Sequence, residues 1–85
     1  MEYARARVKL PPELAILNRS QIGHVIDESP ISPVDAAILK LRYLEHRSMV
    51  DIGVEVGYDR STIGDHVAAG TRTICSTARR MSWPQ

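Results

Sequence analysis

The side chains best able to do chemistry lie far apart along this chain. Three histidines, His24, His46 and His66, and a single cysteine, Cys75, stand at no spacing typical of a zinc site or of a nucleophile–base pair. The sequence also lacks a glycine-rich phosphate loop and a nucleophile elbow. One cysteine cannot form an internal disulfide, and a free cysteine usually behaves as a small buried side chain. We therefore expect a binding protein with no metal and no cofactor, not an enzyme.

The composition is that of a small globular domain. The 85 residues are 44% hydrophobic and 25% charged, and none is Phe. We therefore expect one thin aliphatic core, in which Tyr43, Tyr58 and Trp83 are the candidate larger anchors. No apolar run approaches the roughly 20 residues of a membrane-spanning helix. Residues 1–10 lack the apolar centre of a signal peptide, so we expect a cytoplasmic protein.

Positive charge is concentrated near the two ends of the sequence and over a central segment, residues 36–47. The net charge is only +1, from 11 Lys and Arg against 10 Asp and Glu. This balance allows a basic face but is not that of a protein that coats DNA. Residues 1–12 are expected to form a basic, irregular N-terminal arm. The basic side chains of the arm and of the C-terminal region are Arg5, Arg7, Lys9, Arg72, Arg79 and Arg80.

Prolines and capping residues divide residues 13–85 into the helices of one all-α domain, a bundle of three to five helices. A first helix is expected over about residues 13–28, with an optional break near residues 18–21. Ser32 and Pro33 then form a helix start, because serine caps a helix and proline suits its first turn. The helix that follows should reach about His46. Its apolar stripe is predicted to comprise Val34, Ala37, Ile38, Leu41 and Leu44.

Two further helix starts follow closely. Ser48 can cap a short helix that ends at Gly57, since glycine readily adopts the left-handed conformation at a helix end. Asp59 can cap another helix that starts at Arg60. This last helix either continues past Gly70 or breaks and restarts there. The short helix is expected to turn inward Met49 or Val50, together with Ile52 and Val56.

The spacing of small and apolar residues over about residues 48–70 predicts a helix-turn-helix. In that arrangement a small residue lies where the second helix crosses the first, and the turn needs a residue that tolerates a positive φ. Gly53 supplies the small crossing residue and Gly57 supplies the turn. The inner face of the second helix is assigned to Tyr58, Ile63 and Val67.

Residues 52–67, IGVEVGYDRSTIGDHV, resemble the helix-turn-helix of sigma factor region four and of LuxR-type regulators. Residues 32–44, from SPVD to LRYL, also resemble the helix that precedes the motif in those families. The resemblance extends over about residues 31–75. It implies a sequence-specific DNA-binding transcription regulator of phage or bacterial type, with a recognition helix over about residues 60–69 in the major groove.

The resemblance also implies individual contacts with double-stranded DNA. Base contacts fall to Arg60, Ser61, Thr62, Gly64, Asp65 and His66. Phosphate contacts fall to Ser48, Arg42, Arg47 and Arg72. Further contacts from the arm and the tail would involve Arg5, Arg7, Lys9, Arg79 and Arg80.

Two features depart from the pattern of these families. Gly53 stands where alanine is usual, which we expect to be tolerated sterically at a cost of about 1 kcal/mol of helix stability. The segment 48–70 is also acidic. Its only basic residue is Arg60, and its four acidic residues are Asp51, Glu55, Asp59 and Asp65. Because DNA binding depends on neutralising phosphates, the segment must obtain positive charge from elsewhere in the chain.

The acidic balance keeps two alternatives open. The domain could instead be a protein-interaction module that docks on RNA polymerase or on another regulatory protein. A small-terminase-like DNA-recognition domain would share the fold and differ in oligomeric state. If the protein is a homodimer, its C-terminal helix is the expected seam, through Ile74, Ala78, Met81 and Trp83.

Overall fold

Five helices account for most of residues 8–81, which are the residues that the computed structural model describes. Within that range there is no strand, so the predicted all-α fold is confirmed. No helix there is long and apolar enough to cross a membrane. Arg5, Arg7 and Trp83 lie outside the described residues. The helices are α1 (Pro12–Ala15), α2 (Arg19–Glu28), α3 (Pro33–Tyr43), α4 (Met49–Val56) and α5 (Arg60–Met81).

The predicted first helix is interrupted, and Asn18 begins its second part. The Asn18 side chain accepts a hydrogen bond from the backbone N–H of Gln21 at 2.8 Å, and the Gln21 side chain accepts from the Asn18 N–H at 2.9 Å. This reciprocal capping box satisfies two backbone donors at the start of α2. It turns the weak point near residues 18–21 into a new helix start.

Helix α3 starts where the sequence predicts and ends earlier. The Ser32 hydroxyl accepts from the Asp35 N–H at 3.1 Å. The helix ends at Tyr43, and His46 adopts a positive φ of 55° in the loop that follows. The predicted apolar stripe is only partly correct, because α3 packs against α2, α4 and α5 at once and buries a different face. Ile38, Leu39 and Tyr43 are buried, Leu41 and Leu44 are half-buried, and Val34 and Ala37 are exposed.

Helix α5 runs without a break through Gly70, where α3 crosses it. A Cβ at Gly70 would lie 2.9 Å from Cδ1 of Leu39, so the glycine makes room for the side chain that fills the centre of the core. The buried thiol of Cys75 confirms its predicted packing role. The core consists of Leu14, Ile22, Val25, Ile26, Ile38, Leu39, Tyr43, Ile52, Ile63, Val67, Ile74, Cys75 and Ala78.

The predicted dimer seam on the C-terminal helix is already covered within the chain. Ile74 is fully buried and Ala78 is 8% exposed, because α1 and α2 both pack on this part of α5. Met81 packs against the edge of the same core. The sequence alone does not show that residues before Glu28 pack on this stripe. The described part of the arm returns as well, since Val8 packs on the core.

Candidate nucleic-acid interface

Residues 48–70 form two helices joined by a tight turn, here called the α4–α5 unit. The Ser48 hydroxyl accepts from the Asp51 N–H at 3.1 Å and thereby caps α4. Gly57 ends α4 in the left-handed conformation with φ of 80°. The backbone N–H groups of Gly57 and Tyr58 both donate to the Gly53 carbonyl, at 2.8 and 3.0 Å. The predicted cap and turn are therefore confirmed.

Gly53 has a stricter role than the sequence indicates. A Cβ at this position would lie 2.6 Å from the carbonyl oxygen of Tyr58 and 3.7 Å from Cγ1 of Ile63. Glycine is therefore not merely tolerated here: alanine would not fit, because the close neighbour is backbone and cannot rotate away. Glycine allows the turn to fold back onto α4, and this contact fixes how α5 leaves the turn.

Asp59 caps α5 and is therefore committed to the fold. Its Oδ1 accepts from the Thr62 N–H at 2.7 Å. This backbone hydrogen bond lowers the pKa of the Asp59 carboxyl from its ordinary value of 3.8. Another acid of the unit, Glu55, is paired with Arg47. Two of the four acids that made the segment look unsuited to DNA thus have partners inside the domain.

One side of α5 faces away from the domain over its first three turns. We call Ser61, Gly64, Asp65, Ala68 and Arg72 the outer strip, since a helix advances 100° per residue and places these positions on one side. Four of them are exposed, and a Cβ at Gly64 would meet nothing within 4 Å. Most of these side chains are short, so a ligand can approach the helix backbone closely. Arg60, at the start of the helix, is also exposed.

The side chain of His66 turns from the outer strip towards α3. Its Nδ1 lies 2.6 Å from Oδ1 of Asp35, and its ring stacks on Tyr58 with centroids 5.4 Å apart. Tyr58 is 37% exposed, so its assignment to the inner face is wrong: it covers His66 and not the core. Thr62, beside the strip, is half-buried. Asp35 is a site residue that the sequence did not reveal, because no local pattern links residues 31 positions apart.

Two predicted phosphate contacts, Arg42 and Arg47, are engaged within the domain. Arg42 donates to the carbonyl of Arg47 at 2.9 Å. The Arg47 side chain is only 17% exposed and pairs with Glu55 at 2.7 Å and with Glu45 at 3.3 Å. These contacts tie the loop before Ser48 to α4, and the Ser48 hydroxyl is itself the cap. All three residues shape the α4–α5 unit and are withdrawn as phosphate contacts.

Besides Arg60, positive charge is found on the second half of α5. Arg79 pairs with Glu13, whereas Arg72 and Arg80 line a shallow open groove near Pro30. No acidic residue follows Asp65 in the helix. The groove is completed by Ala69, Thr73 and Ser76. Lys9, in the predicted N-terminal arm, is also exposed.

Comparison of the chain with protein-family models, with curated proteins and with solved structures gives no match. Within residues 8–81, no group of three or more His, Cys, Asp or Glu side chains is placed to hold a metal ion. Burial raises the pKa of the Cys75 thiol, which disfavours the reactive thiolate. Within residues 8–81, the exposed polar residues of α5 are therefore the strongest candidate for a functional site.

Proposed function

We propose that the protein is a sequence-specific DNA-binding transcription regulator of phage or bacterial type that acts in the cytoplasm. The α4–α5 unit is its helix-turn-helix, and residues 60–69 are its recognition helix. One observation carries the proposal. The close contact between Gly53 and the turn packs α4 on the Ile63 side of α5, which leaves the outer strip free. A helix with a free face of short side chains fits the major groove of B-DNA.

The side chains at the start of α5 suit base edges in that groove. Arg60 can donate two hydrogen bonds to O6 and N7 of guanine. Asp65 can accept from the amino group of cytosine, and the Ser61 hydroxyl can donate or accept. Gly64 adds no side chain, so the helix axis can lie close to the floor of the groove.

Phosphate contacts in this proposal come from the second half of α5. Arg72 lies about 16 Å further along the helix axis than Ser61 and on the same side, where the edge of a groove would meet it. Arg80 lines the adjacent groove. With few available cations, the dependence of affinity on salt should be shallow, with a slope of about −2 to −3 from two or three phosphate contacts.

Selection of bound duplexes from a random pool, followed by low-salt gel shifts, tests the proposal. Replacing Arg60 with alanine should lower the affinity for the selected duplex by about 1–3 kcal/mol, or roughly 5-fold to 150-fold. Lys40→Ala is the matched control. Lys40 lies outside the α4–α5 unit and forms an ion pair with Asp27 at 2.7 Å. Unchanged binding by the Arg60 variant would remove that residue from the interface.

Arg72 should behave differently from Arg60 in the same assay. Its replacement by alanine should weaken binding to all sequences about equally and reduce the magnitude of the salt slope by about 1. A change in sequence preference would instead assign Arg72 to base recognition.

A second candidate function is docking on RNA polymerase or on another regulatory protein. Its specific support is an apolar pair on the outer side of α4, where Val50 and Val54 are 55% and 74% exposed one turn apart. Asp51 and Glu55 lie beside them in the sequence. Passage through DNA-cellulose and heparin columns at low salt, without retention, would favour docking over DNA binding.

A further inference from the structure

The contact between His66 and Asp35 joins the recognition helix to the start of α3. A carboxylate only accepts hydrogen bonds, so His66 Nδ1, 2.6 Å from Asp35 Oδ1, must carry a hydrogen. In a neutral imidazole the second nitrogen then has none. His66 Nε2 is therefore an acceptor whenever the ring is neutral.

The other contacts of His66 leave that nitrogen as the accessible one. Tyr58 stacks on the ring with an interplanar angle of 26°, and Asp35 occupies the Nδ1 edge. The His66 side chain is still 34% exposed. Within residues 8–81, Nε2 has no hydrogen-bond partner. The edge of the ring that carries Nε2 is thus the part able to meet a ligand.

We infer that Asp35 is a positioning residue for base recognition, which it performs by holding His66 in the Nδ1–H form. This inference rests on the proposed DNA-binding function. An acceptor nitrogen at the edge of a recognition helix is complementary to the exocyclic amino group of adenine or cytosine. It does not suit a phosphate oxygen, which can only accept. With a neutral ring, His66 therefore contributes a preference for an amino-bearing base at one position of the DNA site.

The first arm of the test uses the protein without DNA. Long-range ¹H–¹⁵N correlation spectra at alkaline pH report which ring nitrogen carries hydrogen. His66 should be in the Nδ1–H form in the wild type and in Asp35→Asn, whose amide oxygen can still accept. Asp35→Ala should shift it to the Nε2–H form that prevails in free histidine, while His46 does not change. An Nε2–H ring in the wild type, or an unchanged ring in Asp35→Ala, would overturn the inference.

The second arm measures base preference on duplexes selected by the wild type. The single hydrogen bond predicts a preference of about threefold to tenfold for adenine or cytosine at one position. The preference should be lost in His66→Ala and Asp35→Ala and retained in Asp35→Asn. Ser32→Ala is the matched control, because it removes the cap of α3 without removing the carboxylate, and it should retain the preference.

The outcomes separate this inference from the proposed function. If the wild type selects no duplex, the proposed function fails and the base-reading role of Asp35 fails with it. If it selects a duplex and Asp35→Ala retains every base preference, the proposed function stands and the inference is overturned. Loss of the preference in Asp35→Ala, with the tautomer change confined to His66, supports it.

Discussion

The two halves of α5 belong to one helix and have opposite surroundings. Over residues 71–81, α1 and the end of α2 meet the helix at Arg79 and Thr77, and α3 meets it at Thr71. Ile74, Cys75, Thr77 and Ala78 are buried there. Over residues 60–70, α3 and α4 meet the helix at His66 and Ile63, and the buried positions are Ile63, Val67 and Gly70. The second half anchors the helix in the domain, and the first half presents a free face.

Polar contacts join both halves to the rest of the domain. The buried hydroxyls of Ser29 and Thr77 lie 2.9 Å apart and join the end of α2 to the second half of the helix. In the first half, His66 pairs with Asp35, whereas Ser61 and Asp65 are exposed on the outer strip. One long helix thus packs into the core along its whole length and still leaves one side of its first half exposed.

Loss of buried volume in the anchoring half should be costly. Ile74→Ala removes a fully buried side chain and should lower the free energy of unfolding by about 2–5 kcal/mol. Val54→Ala, at a position that is 74% exposed, is the control and should change it by less than about 0.5 kcal/mol. Urea unfolding followed by circular dichroism measures both. If Ile74→Ala does not fold, Ile74→Val should still cost about 0.5–1.5 kcal/mol. Equal effects at Ile74 and Val54 would contradict the burial of Ile74 in the anchoring half.

The direction in which the free half leaves the turn depends on the close contact between Gly53 and the Tyr58 carbonyl. Gly53→Ala should destabilise the domain by about 1–3 kcal/mol, because the added Cβ meets the Tyr58 carbonyl at 2.6 Å. The same unfolding experiment measures the loss. A gain in stability, as helix propensity alone predicts, would show that the turn yields without cost.

Two glycines in the first half of α5 give a sharper comparison, between its free side and its packed side. Gly64→Ala adds a methyl group in open space and should stabilise the domain by about 0.5–1 kcal/mol. Gly70→Ala gains the same helix propensity but must displace Leu39, whose Cδ1 would be 2.9 Å away. It should therefore be the less stable variant in thermal and urea unfolding. The reverse order would show that the packing of Leu39 on α5 is looser than described.

The smallest expected effect concerns the cap of α5 and its dependence on pH. The lowered pKa of Asp59 means that its charged form stabilises the fold at pH above its ordinary value of 3.8, and that this contribution is lost as pH falls through the lowered value. Asp59→Asn keeps an oxygen acceptor for the cap but does not titrate. Any stability advantage of the wild type over this variant should therefore be constant near neutral pH and shrink below about pH 4. Thermal unfolding across that range measures it, and a difference independent of pH would contradict the assignment.

Local sequence signals predicted the fold better than they predicted the site. Ser32, Ser48, Gly57 and Asp59 each act on backbone groups within a few residues, so their roles could be predicted from sequence. The buried face of α3 could not, because it depends on three helices that pack against it together. The strict need for glycine at position 53 could not be predicted either, because it arises only once the turn has folded back against that position.

The same limit explains the candidate site. Arg47 looks available in the sequence, yet its partner Glu55 is placed by the fold of the loop. In the sequence, Asp35 is recognisable only as an acidic residue in the first turn of a helix. Its contact with His66 arises only when α3 packs on α5. The short exposed residues near Ser61 were predictable, because they follow from the cap at Asp59 and the phase of one helix.

Chemical-shift mapping with a duplex selected from a random pool tests the central claim most directly. The account predicts that the backbone amides of Arg60, Ser61, Gly64 and Asp65 shift on binding, while that of Ile74 does not. Failure to recover any preferred duplex, or shifts confined to the Val50 side of α4, would contradict it.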